Sequence, residues 1–202
     1  MSQISNVEEL KNKLDNYQYV IGCDECGTGA LAGCLVVCGL LTTPTWQVPG
    51  LNDSKQVSPK NREKVKEVLL KDDSIKHYIA QRSSQEIDEF GMGVALKSAY
   101  LEVFQNLYKP NTLIVCDGKL KFDTEFEYVS LIKADGLVPS VMAASILGKT
   151  FRDALMRDIS LSYPNYDFYH NVGYSSKKHL SDISKFGLSN IHRRSYKISA
   201  LK

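Results

Sequence analysis

Apolar residues along the chain form short continuous runs in some segments and helical spacings in others. Continuous runs rich in Val, Ile and Leu predict buried strands over residues 17–24, 31–42, 75–82, 112–117 and 126–133. Apolar positions three and four residues apart, together with capping signals, predict helices over 1–17, after Ser58-Pro59, from Ser83 to Tyr108, and for about 20 residues from Pro139. Because the first strands precede the interleaved helices, this order predicts an α/β sandwich with a mixed sheet.

The helix that begins at Pro139 has an apolar and a polar face. Six small or apolar side chains share the side that we expect to pack on the sheet: Ala143, Ala144, Leu147, Phe151, Ala154 and Leu155. The opposite side holds Ser145, Lys149, Arg152 and Asp153. A polar face on an outer helix is normally solvated, but this one begins shortly after Asp135. Ser145 and Lys149 are therefore candidates for contacting a bound phosphate.

Composition places the 202-residue chain among ordinary soluble globular proteins, with 43% hydrophobic and 24% charged residues. We expect one domain over 1–202, with a core at about 18–160 and a basic C-terminal extension at about 161–202. No apolar run approaches the roughly 20 residues of a membrane span, and the polar N-terminus has no signal-peptide pattern. The five cysteines are odd in number and lie in or beside apolar stretches, which predicts reduced thiols in a cytoplasmic protein.

The net charge of +2 is close to neutral, but the basic residues are unevenly distributed. From His170 onward there are seven Lys or Arg residues and a single acid, Asp182. Such a segment is either a solvated helix face or a surface that binds phosphates, and the charge pattern by itself favours neither.

Two adjacent carboxylates, Asp24 and Glu25, end the first predicted strand and open onto the turn Gly27-Thr28-Gly29. Neighbouring acids at the tip of a buried strand repel each other strongly unless a cation lies between them. Hard divalent cations meet that need because they are held by carboxylate oxygens. An acidic surface turn without any metal would have the same spacing.

Asp117 and Asp135 also follow predicted strands, so three strand ends finish on acids. In an α/β sheet such ends meet on one rim and form the usual ligand crevice. Four converging carboxylates predict a two-metal phosphodiesterase site, in which the ions activate water and stabilise the leaving oxygen. Unrelated acids at loop entries are the alternative. Cys23 and Cys26 have the spacing of zinc ligands, but no second pair with a histidine completes such a site.

Five blocks of sequence resemble, in family order, the motifs of the type 2 ribonucleases H (ribonuclease HII), and together they span roughly residues 18–197. The blocks are Asp24-Glu25-Cys26-Gly27-Thr28-Gly29 with Leu31-Ala32-Gly33; Leu51-Asn52-Asp53-Ser54-Lys55; Val115-Cys116-Asp117-Gly118; Lys133-Ala134-Asp135 with 143–149 and Arg152-Asp153; and Gly173-Tyr174, His179 and His192-Arg193-Arg194-Ser195-Tyr196. Each block alone is a weak signal, whereas five in the family's order are specific.

The resemblance implies a ribonuclease H-like mixed sheet flanked by helices, with a helical C-terminal extension. It implies that Asp24, Glu25, Asp117 and Asp135 are the catalytic carboxylates and bind two divalent cations, Mg²⁺ or Mn²⁺. The remaining implied roles concern substrate: ribonucleotide contact by Gly27, Thr28 and Gly29; stacking near an RNA–DNA junction by Tyr174; and phosphate contact by Lys55, Ser145 and Lys149.

One departure from the family pattern is Thr28, where ribonucleases HII usually have arginine. Gly-Thr-Gly is instead similar to the type 3 ribonucleases H, which have an additional N-terminal substrate-binding domain. Only about 17 residues precede the first predicted strand, so we expect that domain to be absent. The other blocks are closer to type 2. Recognition of a single ribonucleotide is therefore expected to be weaker, with the metal chemistry unaffected.

The expected function is that of a metal-dependent endoribonuclease, monomeric, which cuts the RNA strand of RNA–DNA hybrids and of RNA–DNA junction duplexes. It would leave 5′-phosphate and 3′-hydroxyl ends. Two alternatives are a DNA-cutting nuclease or transposase-like protein on the same fold, and a catalytically silent protein that binds hybrids. The sequence does not identify a replication or repair partner.

Overall fold

The predicted apolar runs form a five-stranded sheet in the computed structural model, which describes residues 7–47 and 59–198. The strands are β1 (Tyr19–Cys26), β2 (Leu35–Thr42), β3 (Lys76–Arg82), β4 (Thr112–Asp117) and β5 (Tyr128–Leu131). The helices are α1 (Val7–Leu14), α2 (Pro59–Leu69), α3 (Ser84–Phe90), α4 (Met92–Leu107), α5 (Pro139–Ser160), α6 (Phe168–Asn171) and α7 (Lys177–Phe186). Short 3₁₀ turns cover Ala134–Gly136 and Pro164–Tyr166.

The sheet is mixed, as predicted, with the strand order β3-β2-β1-β4-β5. β1, β2 and β3 pair antiparallel, whereas β4 pairs parallel with β1 and β5 parallel with β4. In the parallel pairs Cys23 lies opposite Cys116, and Asp117 lies opposite Leu131. The carboxyl ends of β1, β4 and β5 therefore meet at one edge of the sheet, which is where the predicted acids lie.

Helices cover both faces of the sheet because successive side chains of the central strand point in opposite directions. Ile21 belongs to the cluster that packs under α4, together with Val103 and Phe104. Its neighbour Val20 belongs to the cluster on the other face, with Val141 of α5. Burial on both faces explains why these strands are continuously apolar rather than alternating.

The helix predicted from Ser83 to Tyr108 is wrong as a single element, because it is divided into α3 and α4. The capping box at its start is present: Ser83 Oγ accepts from the Glu86 backbone N–H, and the Glu86 carboxylate accepts from the Ser83 N–H. Gly91 separates the two helices at a φ of 82°. That left-handed conformation is incompatible with a continuous helix and costs glycine little.

The second strand begins at Leu35 rather than at residue 31. Gly33 has a φ of 83° and turns the chain before the strand starts. Residues 31–34 instead form a connection that contacts residues 191–193, with an isolated bridge between Ala32 and His192. The predicted N-cap at Ser58 lies outside the described residues.

The apolar face of α5 packs on the sheet as predicted through Ala143, Ala144 and Leu147, which contact the cluster around Cys38 and Leu40. Phe151, Ala154 and Leu155, on the same predicted face, are only partly buried.

The C-terminal extension is helical, as predicted, and has an apolar core of its own. Phe168 and Ile183 are fully buried there together with Met156 of α5 and Ala32 of the β1–β2 connection. The extension thus covers the C-terminal half of α5 and the connection next to the predicted site. Within the described ranges, no helix has both the length and the apolar character that crossing a bilayer requires.

Gly22 allows β1 and α5 to approach each other closely, and it gives a test of this packing. A Cβ at this position would lie 2.2 Å from the Val141 nitrogen and 2.3 Å from the Ser140 carbonyl carbon, both backbone atoms. We expect Gly22→Ala to lower the free energy of unfolding by about 1–3 kcal/mol or more, because the helix has to move away from the strand. Urea denaturation measures the change. Gly93→Ala is the control, since its Cβ meets nothing within 4 Å, and an equal effect of both variants would contradict the packing argument.

Candidate active site

The acids of β1 and β4 lie next to each other at the edge where the parallel strands end. Cys23 is paired with Cys116, so the following residues, Asp24 and Asp117, occupy adjacent positions on neighbouring strands. Backbone amides orient both side chains: Asp24 Oδ1 accepts from the Glu25 N–H at 2.9 Å, and Asp117 Oδ1 accepts from the Ala134 N–H at 2.8 Å.

Glu25 and Asp117 are close enough to Asp24 to affect its ionisation, and Asp117 is close enough to Glu25 to affect that of Glu25. Burial raises the pKa of Asp24 to about 7; a hydrogen bond from Ser145 opposes the rise, and the charges of Glu25 and Asp117 add to it. Burial also raises the pKa of Glu25, where a hydrogen bond from the Tyr100 hydroxyl opposes the rise and Asp117 adds to it. The three carboxylates are partly buried, and the raised pKa values of Asp24 and Glu25 show that negative charge is disfavoured there, so together they form a donor set suited to a hard cation.

Asp135 lies on the 3₁₀ turn that follows β5, and it is only 4% exposed. Its neighbour Ala134 donates the hydrogen bond to Asp117, so the turn is attached to the same edge of the sheet. In the part of the chain that the structure describes, no three His, Cys, Asp or Glu side chains are already grouped as ligands around one point. The structure therefore places Asp24, Glu25 and Asp117 close enough for their charges to interact, and it places Asp135 on the adjoining turn.

The glycine turn after β1 is fixed by contacts from the C-terminal extension. The Gly27 N–H donates to the Tyr174 hydroxyl at 3.1 Å. The Thr28 carbonyl accepts from Arg193 Nη1 at 3.0 Å and from the Tyr196 hydroxyl at 2.6 Å. Gly27 is buried, with a φ of 89°, whereas Gly29 is exposed and has open space where a side chain would be. A ligand therefore has free access at Gly29 and not at Gly27.

Arg152 belongs to the predicted polar face of α5, but it is not solvated: its relative exposure is only 1%. Its guanidinium donates to three carbonyls, those of Cys34 at 2.9 Å, Val172 at 2.9 Å and Ala32 at 3.3 Å. Helical periodicity identified the face correctly, but it does not show that the C-terminal extension covers this part of the helix.

Arg193 similarly corrects the interpretation of the basic C-terminal stretch. It is fully buried and donates to the Gly33 carbonyl from Nε at 3.2 Å and from Nη2 at 3.0 Å, in addition to its bond with Thr28. It is thus unavailable to a phosphate. Five other basic residues of the stretch are exposed, namely Lys177, Lys178, Lys185, Arg194 and Lys197, and they leave the phosphate-binding interpretation open.

The remaining predicted site residues lie around the same edge, with one exception. Tyr174 is partly buried, with the Arg152 guanidinium carbon 5.1 Å from the centre of its ring. Ser145 hydrogen-bonds Asp24. Lys149 forms an ion pair with Asp153 at 3.1 Å on the α5 surface. Lys55 lies outside the described residues, so its predicted phosphate contact stays a prediction.

Sequence reasoning missed the contribution of Tyr100. This residue is fully buried in α4, and its hydroxyl donates to Glu25 Oε2. In the sequence it is one more aromatic residue on the apolar face of a helix. The feature that could have identified Tyr100 is its hydroxyl, because a buried tyrosine hydroxyl usually has a hydrogen-bond partner.

Comparison with known proteins identifies the family of this chain. The family model described as Ribonuclease HII matches residues 21–199. The chain belongs to the ribonuclease HII family. A Ribonuclease HII of Aliarcobacter butzleri is 42% identical over 180 residues, which are 89% of this chain and 91% of that protein. As a family member, the chain is an endonucleolytic ribonuclease H, which is a phosphodiester hydrolase.

Solved structures show the same fold. The ribonuclease HII in the structure of the PCNA:RNase HII complex from Archaeoglobus fulgidus superposes with a TM-score of 0.72 at 23% identity, covering 88% of this chain and 95% of that one. Bst-RNase HIII, solved in complex with Mn²⁺, superposes with a TM-score of 0.70 at 18% identity, covering 95% and 71% respectively. The ribonuclease H-like fold predicted from the sequence is therefore confirmed, and it is shared by both types.

The raised pKa of Asp24 predicts how the metal-free protein responds to pH. Below about pH 3 the carboxyl is neutral in the folded and unfolded states, so it has no effect on stability. As pH rises from about 3 to above 7, the unfolded state ionises more readily than the folded state, and stability is lost. We expect Asp24→Asn, in a chelator, to be more stable than the wild type by about 2–4 kcal/mol at pH 8 and to differ little from it at pH 3. Urea denaturation at both pH values tests this, and a variant that is less stable at pH 8 would contradict it.

Proposed function

We propose that this chain cleaves the RNA strand of RNA–DNA hybrids and of junction duplexes, using divalent cations held by its strand-end acids. The observation that supports the proposal most directly is the electrostatic arrangement of Asp24, Glu25 and Asp117. These acids are held together by the sheet; the charge of Asp117 raises the pKa of both Asp24 and Glu25, and the charge of Glu25 adds to the rise at Asp24. A protein that only binds nucleic acid gains nothing from buried, mutually repelling carboxylates.

Asp24, Glu25, Asp117 and Asp135 would hold the cations, for which Mg²⁺ and Mn²⁺ are the candidates. Cations held there would supply activation of the attacking water and stabilisation of the leaving 3′ oxygen, and the products would have 5′-phosphate and 3′-hydroxyl ends. The donor set fits this role because all four residues supply hard oxygen ligands. The Mn²⁺ complex of Bst-RNase HIII, a protein of the same fold, supports the choice of ion.

The glycine turn and Tyr174 would recognise the ribonucleotide. Gly29 is exposed next to the acids, and the turn is anchored through Gly27 and Thr28. A fixed backbone positioned in this way can hydrogen-bond a 2′-hydroxyl, the group that distinguishes RNA from DNA. Ser145 and Lys149 on α5 and the exposed lysines of the C-terminal extension would contact the phosphates, which makes affinity fall with salt. The monomeric state and the cytoplasmic location stay predictions.

A cleavage assay separates the proposed activity from its alternatives. We expect Mg²⁺- or Mn²⁺-dependent cutting of the RNA strand in a labelled RNA–DNA duplex, and no cutting of the matched DNA duplex. Cutting of both duplexes would indicate a DNA nuclease. Binding of the hybrid without cutting, with either metal present, would indicate a silent binding protein.

The strand-end acids are tested by Asp24→Asn and Asp117→Asn. Each is expected to lower kcat on the hybrid by at least about 100-fold, because an amide is a poorer ligand for a hard cation and one charge is lost from the site. Mn²⁺ binding measured by calorimetry should weaken in parallel. Asp158→Asn, an exposed acid of α5, is the control. Near wild-type turnover of either site variant would remove that residue from the catalytic set.

Thr28 is the position at which specificity is tested. Arginine there offers a charged fork to phosphate, whereas threonine offers one short hydroxyl. A continuous hybrid makes many contacts, but a lone ribonucleotide in DNA depends on this turn. We expect the wild type to prefer the continuous hybrid, and Thr28→Arg to raise the relative kcat/KM on the single-ribonucleotide duplex by about tenfold.

The two substrates are compared for both proteins at one salt concentration, with Thr28→Ser as the matched control. A wild type that already prefers the single ribonucleotide, or a ratio that arginine leaves unchanged, would show that Thr28 does not determine specificity.

A further inference from the structure

Two histidines of the C-terminal extension form a buried pair that the proposed chemistry does not use. His179 on α7 is fully buried, and His192 is 2% exposed. Their Nε2 atoms are 3.0 Å apart, which is a hydrogen-bond distance. Aromatic rings enclose them: Phe168 lies 5.3 Å from His179 and Tyr166 lies 4.9 Å from His192, between ring centres.

The hydrogen bonds around the pair determine which nitrogen holds each proton. His179 Nδ1 lies 2.8 Å from the Tyr174 carbonyl oxygen, which only accepts, so His179 has its proton on Nδ1. His192 Nδ1 accepts from the Ser189 N–H at 2.9 Å, so His192 has its proton on Nε2. His192 Nε2–H therefore donates to His179 Nε2, and the bonds run in one direction from Ser189 to Tyr174.

This direction requires both rings to be neutral. Burial lowers the pKa of His192 to about 4, and the neighbouring His179 adds to this effect. Burial also lowers the pKa of His179, against the opposing effects of the Tyr174 carbonyl and of Asp182. A second proton on His179 would place two N–H donors against each other across the 3.0 Å contact.

Tyr174, the last acceptor in this series of hydrogen bonds, also contacts the glycine turn. The Tyr174 carbonyl accepts from His179, and its hydroxyl accepts from the Gly27 N–H at 3.1 Å. Tyr174 is thus held at its backbone by the histidine pair and holds the turn through its side chain.

We infer that His179 and His192 are positioning residues, which fix Tyr174 and through it the turn Gly27-Thr28-Gly29 that faces the substrate. The inference rests on the proposed role of that turn in binding the ribonucleotide. Neither histidine touches the reacting atoms; they act by removing rotational freedom from Tyr174, so their loss affects substrate binding more than the chemical step.

The series of hydrogen bonds from Ser189 to Tyr174 is tested without any enzymatic activity, by ¹⁵N NMR of the histidines in the wild-type protein at pH 7. We expect His179 as the Nδ1–H tautomer and His192 as the Nε2–H tautomer. The Gly27 amide resonance is expected to shift in His192→Phe, which keeps an aromatic ring and removes the hydrogen bonds to His179 and Ser189. The opposite tautomers, or an unchanged Gly27 resonance, would overturn the inference even if the enzyme cleaves hybrids as proposed.

Substrate binding is tested with His179→Leu and His179→Asn. Asparagine keeps a donor near the position of Nδ1 and therefore the bond to Tyr174, whereas leucine does not. We expect His179→Leu to raise KM for a junction substrate by about three- to tenfold with kcat little changed, and His179→Asn to stay closer to the wild type. Mn²⁺ affinity should be the same in both. Equal effects of the two variants, or a fall in kcat alone, would contradict positioning through Tyr174.

A double-mutant cycle separates positioning from general stability. In the Tyr174→Phe background the hydroxyl contact with Gly27 is already lost, so His179→Leu should have little further effect on KM. Its effect on thermal stability should persist.

His77→Phe, an exposed histidine on β3, is the control for the His192→Phe substitution. Additive effects on KM would show that the histidines only stabilise the fold, whereas absence of cleavage in the wild type would refute the proposed function and leave the NMR test intact.

Discussion

The parallel pairing of β1 with β4 is the constraint on which the site depends. With Cys23 opposite Cys116, the next residue on each strand is an acid, so the sheet's own hydrogen bonds hold two negative charges at neighbouring backbone positions. These strands are buried between α4 and α5, and neither can shift without opening the core. The strands therefore cannot relieve the repulsion between Asp24 and Asp117 by moving apart, whereas protonation or a bound cation does relieve it.

A second set of contacts comes from the C-terminal extension and fixes the turn beside the acids. Arg152 and Arg193 donate their hydrogen bonds to backbone carbonyl oxygens. Among the described residues, the one exception is the bond from Arg193 to the Tyr196 hydroxyl. A buried guanidinium is expensive to desolvate, and here the cost is offset by several carbonyl dipoles from the connection between β1 and β2. The rigid edge of the sheet thus supplies the charges, and the extension determines the shape of the turn that faces them.

The sequence predicted the sheet, both layers of helices and the edge where the acids meet, because these follow from local features. Continuous apolar runs identify strands buried on both faces, and acids at their ends are visible without any tertiary information. The glycines at 91 and 93 weaken the helical pattern without showing whether or where the helix ends, and only the φ of Gly91 shows that it ends there. Arg152 and Arg193 were misassigned for a different reason: their burial depends on a packing partner far away in the sequence, and periodicity contains no information about that partner.

The hydrogen bonds that fix the turn after β1 also limit which of its backbone groups can bind a ligand. Its inward carbonyls, those of Thr28, Ala32, Gly33 and Cys34, are occupied by the two guanidiniums, and the amides of Gly27 and of residues 30–33 are also bonded within the protein. Within residues 27–33, all of which the structure describes, the amide donors that have no such bond are those of Thr28 and Gly29. The turn therefore has two adjacent N–H groups that are not bonded within the protein, at a point where Gly29 is exposed; this polarity suits oxygen atoms of a sugar or a phosphate and disfavours the amino groups of a base.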